Sequence, residues 1–150
     1  MKKTFLAALL FFYSFTFSTE VKVPRSKHTI RDVGYVVESP DSELFADYPL
    51  VLEKIKFGLK GGILTERSDI LINDNQKSLS EPYVLVKVNV DRDSSPLFFS
   101  LDVSLRVSTE EYTILYDEAF GTGRTEDMNS LPAGISKLTR ALSRNIASDW

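Results

Sequence analysis

Leu97-Phe98-Phe99-Ser100-Leu101-Asp102-Val103-Ser104-Leu105-Arg106-Val107 sets Leu97, Phe99, Leu101, Val103, Leu105 and Val107 on one side of an extended chain. Ser100, Asp102, Ser104 and Arg106 fall on the other. Successive strand residues point to opposite faces, so this period of two predicts a strand with one packed and one wet face. The same pattern precedes it from Tyr83 to Asp91, where Val84, Val86, Val88 and Val90 alternate with Lys87, Asn89 and Asp91. It continues less cleanly from Tyr112 to Phe120 through Tyr112, Ile114, Tyr116 and Phe120. The links Arg92 to Pro96 and Ser108 to Glu111 are short enough for hairpins, so the three runs predict an antiparallel meander.

Working outward, Thr29 to Glu38 predicts a further strand, with Val33, Tyr35 and Val37 alternating before Ser39-Pro40-Asp41 breaks the run. A helix is predicted from about Asp47 to Lys60, with Asp47 as its N-cap, Pro49 in the first turn, and Gly61 and Gly62 stopping it. Val51, Leu52, Ile55 and Leu59 give its buried stripe. Between Ile63 and Pro82 only a short strand is predicted, near Ile63-Leu64 or Ile70 to Ile72, and Asn73 to Ser80 reads as a loop. A last helix runs from about Asn129 or Ser130 to Ser148, with Leu131, Ile135, Leu138, Leu142 and Ile146 at helical spacing. The fold class that follows is α+β: an antiparallel sheet with a three-stranded meander and two helices packed on one face. The first strand or the Ile63 region is the expected sheet edge, open to an added strand.

The N-terminus has the layout of an export signal. Lys2 and Lys3 precede an apolar run from Phe5 to Phe17, too short to cross a bilayer, and Thr16 and Ser18 suit cleavage after Ser18. The expected organisation is a signal peptide over 1–18, a polar, basic tether over 19–28, and one domain over 29–150. An exported location, periplasmic or extracellular, follows, with membrane contact only through an uncleaved signal. The chain has no cysteine, which rules out disulfides, thiolate metal sites and a lipid-bearing cysteine after the signal. Cleavage would leave about 130 residues with a net charge of about −5, which argues against nucleic acid or anionic lipid as the main partner.

Reactive chemistry has few candidates. His28, the single histidine, lies in the tether, away from any nucleophile it could serve. Gly121-Thr122-Gly123-Arg124 follows a strand and precedes a helix, so Gly121, Gly123 and Arg124 are candidates for an anion-binding turn or a bulged strand exit. The motif is incomplete as a dinucleotide or P-loop signature. Asp91, Asp93 and Ser94, or Asp69, Asn73, Asp74 and Asn75, offer oxygen ligands without the EF-hand pattern. Asp102 and Asp117 are the acids from which a hydrolytic pair would be drawn. Lys87, Asn89, Asp102 and Arg106 share the polar face of the sheet and form a candidate docking surface.

With the last strand Ile114 to Arg124 running through a glycine pair into the helix from Leu131, the stretch from Asp47 to Asp149 resembles small envelope lipoprotein domains of the YajG, LpoB and CsgG kind. The resemblance implies an envelope assembly or accessory role through protein contacts and carries no catalytic residue across. The expected function is therefore an exported, non-enzymatic binding domain with no cofactor and no nucleic acid, contacting another envelope protein or a cell-wall component. A small secreted hydrolase with an acidic site, or a secreted inhibitor or virulence-related ligand, are the alternatives. Oligomeric state is left open.

Overall fold

The protein is described from a computed structural model, over residues 19–23, 30–74 and 78–150. The signal-peptide reading of 1–18, His28 and Asn75 lie outside the described residues. Six strands, β1 (Thr19–Lys22), β2 (Asp32–Glu38), β3 (Leu71–Asn73), β4 (Tyr83–Asp91), β5 (Leu97–Ser108) and β6 (Tyr112–Thr125), form one sheet in the order β1-β6-β5-β4-β2-β3. The helices are a single turn α1 (Leu44–Asp47), then α2 (Pro49–Glu66) and α3 (Leu131–Ala147).

The meander is present: β4 pairs antiparallel with β5, and β5 with β6. The sheet as a whole is mixed, however, because β1 lies parallel to β6, and β2 lies parallel to both β3 and β4. The reason is connectivity. A strand followed by a long helix returns to the sheet in the same direction, and α2 is such a crossover between β2 and β3. Residues 19–22, expected to belong to a tether, form an outer strand instead, and their side chains are all exposed. The expected edges also move. Ile63 is fully buried in α2, and β2 is flanked by β4 on one side and, over Asp32 to Gly34, by β3 on the other.

Val84, Val86 and Val88 of β4 and Leu101, Val103 and Leu105 of β5 are fully buried in the core beneath α2 and α3. Pro49 starts α2 as predicted, after Tyr48 and not Asp47, which closes α1. Gly61 and Gly62 do not end the helix; it runs on to Glu66. Their role is contact. A Cβ on Gly58 would lie 2.5 Å from the Ser136 carbonyl and 3.1 Å from Thr139 Cβ, and one on Gly62 would lie 2.9 Å from Ser143 Cβ. Thr139 and Ser143 are fully buried, so the two helices meet parallel along a seam of small residues that lets their backbones approach closely. The Thr139 hydroxyl donates to the Ile135 carbonyl at 2.6 Å, which satisfies it inside the seam.

Candidate functional site

The helices cover one sheet face; on the other, Tyr83, Leu85, Ser104, Arg106 and Leu115 are buried, and only the part around Lys87, Asn89, Glu118 and Phe120 is open. A bulge decides which β6 residues reach it. Arg106 stands opposite Leu115 while its neighbour Leu105 stands opposite Asp117, which leaves Tyr116 without a counterpart in the ladder. The extra residue reverses the phase of the strand. Tyr112 and Ile114 therefore share a face with Val107, whereas Phe120, expected beside them, emerges on the open face opposite Asp102 and is 65% exposed.

The open face presents Lys87 opposite Asp102 and Asn89 opposite Ser100, with Glu118 and Phe120 on the adjoining strand. The structure thus brings together three of the four residues read as a docking surface. The fourth, Arg106, lies apart towards the start of β4, opposite Tyr83. It is only 9% exposed; its Nε donates to Ser104 Oγ at 2.8 Å and its Nη1 to Glu20 Oε2, which fastens β1 to the sheet. A buried guanidinium needs such partners, so this side chain is structural.

Asp102 is held at a pKa of about 6. Burial is the largest cause, followed by a hydrogen bond with the Glu118 carboxyl and that group's charge; Lys87 and Arg106 act in the opposite direction. Asp117 lies on the other face of β6, opposite Leu105, and is nearly buried. Asp102 and Asp117 therefore cannot flank one bond. The acid that does share the face of Asp102 is Glu118, opposite Ser104, and it helps to raise the Asp102 carboxyl.

Gly121, Thr122, Gly123 and Arg124 form neither a turn nor a bulge. They continue β6 to Thr125, and none of the described glycines has positive φ. A Cβ on Gly121 would meet Leu138 Cδ1 at 2.9 Å, and one on Gly123 would meet the Phe99 ring at 2.5 Å. The glycines make room for a helix and an aromatic ring, and the anion-binding reading loses its loop. Arg124 lies over the Phe98 ring on the open face, 5.2 Å from its centroid. Beside this strand a shallow groove of about 360 Å³ is bounded by Phe99, Gly123, Lys137, Leu138 and Ala141.

The acidic loops are occupied by their own contacts. Asp69 accepts from Arg67 Nε at 2.9 Å, which holds its carboxyl at about 2, and Asp74 accepts from Tyr35 Oη at 2.7 Å and lies 2.6 Å from Lys60 Nζ. Those partners lower the Asp74 carboxyl, while burial and then Asp74 raise the Tyr35 phenol. Asp91 Oδ1 accepts the Asp93 N–H at 3.1 Å, and Ser94 Oγ accepts the Phe98 N–H at 2.8 Å, which builds the hairpin turn. Among the described residues no three His, Cys, Asp or Glu side chains gather as a metal site, and no helix is long and apolar enough to cross a membrane.

The sequence reading does not single out Glu118, and its alternation puts Phe120 on the packed face. The signal that marks them is the run of small residues Ala119, Gly121 and Gly123 at every second position, which belongs under a helix and leaves Glu118, Phe120 and Thr122 facing out.

No family model matches the chain, and no curated protein matches it. Among solved structures it is similar to a PelC dodecamer from Paraburkholderia phytofirmans, at 13% identity and a TM-score of 0.46, over 86% of this chain and 92% of that one. A minor lipoprotein from Acinetobacter baumannii aligns at 14% identity and a TM-score of 0.36, over 80% and 88% of the two chains. The rare lipoprotein B from Shewanella oneidensis aligns at 12% identity and a TM-score of 0.23, over 76% and 87%. These neighbours include lipoproteins and one named as a dodecamer; at such scores the likeness is one of layout, and no role is carried from them to this chain.

Proposed function

We propose that this chain is an exported, non-enzymatic domain of a cell envelope that binds another envelope protein or a cell-wall component through the open face of its sheet. The observation that carries the reading is the patch on that face: Lys87, Asn89 and Glu118 are exposed around the half-buried Asp102, and Phe120 stands among them. An exposed aromatic ringed by charges of both signs is the composition of a protein-binding surface. Export is supported by Lys2, Lys3 and the apolar run from Phe5 to Phe17.

The test is capture of partners from envelope extracts by the purified chain, compared with Lys87→Glu and Asn89→Arg. Both residues are exposed in the middle of the sheet, so the variants are expected to keep their circular dichroism spectrum and lose the captured partner. Retention of the same partner by both would move the docking surface elsewhere. Mass spectrometry of the protein made with its N-terminus is expected to show loss of about 18 residues.

A further inference from the structure

We infer that the chain forms a two-fold symmetric dimer in which the edge of β6 from Glu118 to Arg124 pairs antiparallel with the same edge of a second copy. Glu118 and Phe120 border the docking patch proposed above, but the pairing rests on the β6 edge, which Lys87→Glu and Asn89→Arg on β4 leave untouched. β1 covers β6 only at its start: the pairing ends at Lys22 opposite Leu115, and the Val23 N–H donates to the Leu115 carbonyl at 3.1 Å. Beyond it, from Glu118 to Arg124, no described strand lies on that edge. Edges of this length are templates for another strand unless something covers them.

The residues along the edge fit a second copy. Antiparallel pairing about a two-fold axis opposes residues whose numbers have a constant sum, and pairing Glu118 to Arg124 with itself puts Gly121 at the axis. Glu118 then stands opposite Arg124 of the partner subunit, once at each end. Phe120 stands opposite Thr122 of the partner subunit. Opposite charges directly across an antiparallel pair stabilise it, and like charges would destabilise it. Arg124 has no acidic partner among the described residues, and Glu118 shares its face of the sheet with the like-charged Asp102, so each gains from the other.

The helix layer supports the same axis. Leu138 and Leu142 of α3 lie over Gly121 and are only partly buried, and Ala141 beside them is exposed. In the dimer these side chains approach their own copies across the axis and complete their burial. An isologous contact of this kind closes on itself and does not propagate.

Sedimentation velocity of the full chain is expected to show a dimer. Glu118→Arg and Arg124→Glu, each alone, oppose like charges at both ends of the paired stretch and are expected to raise the dissociation constant about tenfold. The double variant restores opposite charges and with them the dimer. Circular dichroism establishes that each variant is folded. In this cysteine-free chain, Phe120→Cys with Thr122→Cys is expected to give a cross-linked dimer on oxidation, since both positions are exposed. A monomeric wild-type chain, single variants that dimerise as the wild type does, a folded double variant that fails to recover, or cross-linking by Phe120→Cys alone would each overturn the arrangement.

Discussion

Gly62 of α2 faces Ser143 of α3 so closely that a methyl group on the glycine would stand 2.9 Å from the serine Cβ. Alanine is the better helix former by about 1 kcal/mol, yet Gly62→Ala should destabilise the domain by about 1–3 kcal/mol, because the backbone of α3 on the other side of the contact cannot yield. Gly61→Ala is the control. There the nearest atoms belong to the Arg140 guanidinium, the far end of a flexible exposed side chain, so this substitution should be neutral or stabilising by up to about 1 kcal/mol. Urea titration of both variants checks the difference in sign.

Phe99 fills the space that Gly123 leaves empty, and the two stand opposite each other across β5 and β6. Gly123→Ala should therefore cost about 1–3 kcal/mol through collision with the ring. In the background of Phe99→Leu, where the ring is gone, the same substitution should cost less. A double-mutant cycle reads the coupling, and additive losses would mean that the strand tolerates the Cβ by other means.

Leu101 is fully buried under the helices, and its neighbour Ser100 lies on the open face. Leu101→Asp places a charge in the core and should lower stability by several kcal/mol, while Ser100→Asp should change it by less than about 1 kcal/mol. Equal losses in thermal unfolding would contradict the assignment of faces.

Asp102 makes stability depend on pH in a defined direction. Its pKa of about 6 in the folded protein lies above the ordinary aspartate value, so between about pH 4 and 6 the folded state binds more protons than the unfolded chain. Stability from this group is present at low pH and lost as pH rises through 6. Asp102→Asn should therefore unfold at higher urea concentration than wild type at pH 7.5, by about 1 kcal/mol or less given the solvent access of the carboxyl, and should match it at pH 4.

Much of the sheet was legible because alternation is a direct image of the pleat: the bounds of β4, the length of β5 and the start of β6 follow from Val84 to Val90 and from Leu97 to Val107. What failed has physical reasons. Gly61 and Gly62 look like a helix stop in isolation, because their role depends on Thr139, Arg140 and Ser143, which are distant in sequence. Gly121 and Gly123 look like a turn for the same reason, their partners being Leu138 and Phe99. The phase reversal at Tyr116 is marked only by the small residues Ala119, Gly121 and Gly123, whose covering helix lies further along the chain, and alternation alone puts Phe120 on the wrong face. Strand order was illegible too: the partner of β1 is a strand near the other end of the chain. In the candidate docking surface, Lys87, Asn89 and Asp102 were readable from alternation along single strands. The burial of Arg106 was not, because it depends on Glu20.

The outermost strand also sets the order in which the molecule can be assembled. Thr19 stands opposite Tyr112, roughly 90 residues away, so joining β1 to β6 closes a long loop, and that entropic cost must be met before the contact brings any return. The return is small: four exposed residues, a short ladder and the contact of Glu20 with Arg106. The hairpins of β4, β5 and β6 close over short loops and bury the core. β1 is the last stave to be set and the first to come loose, and its amide protons should exchange with solvent well before those of Val86 or Leu101.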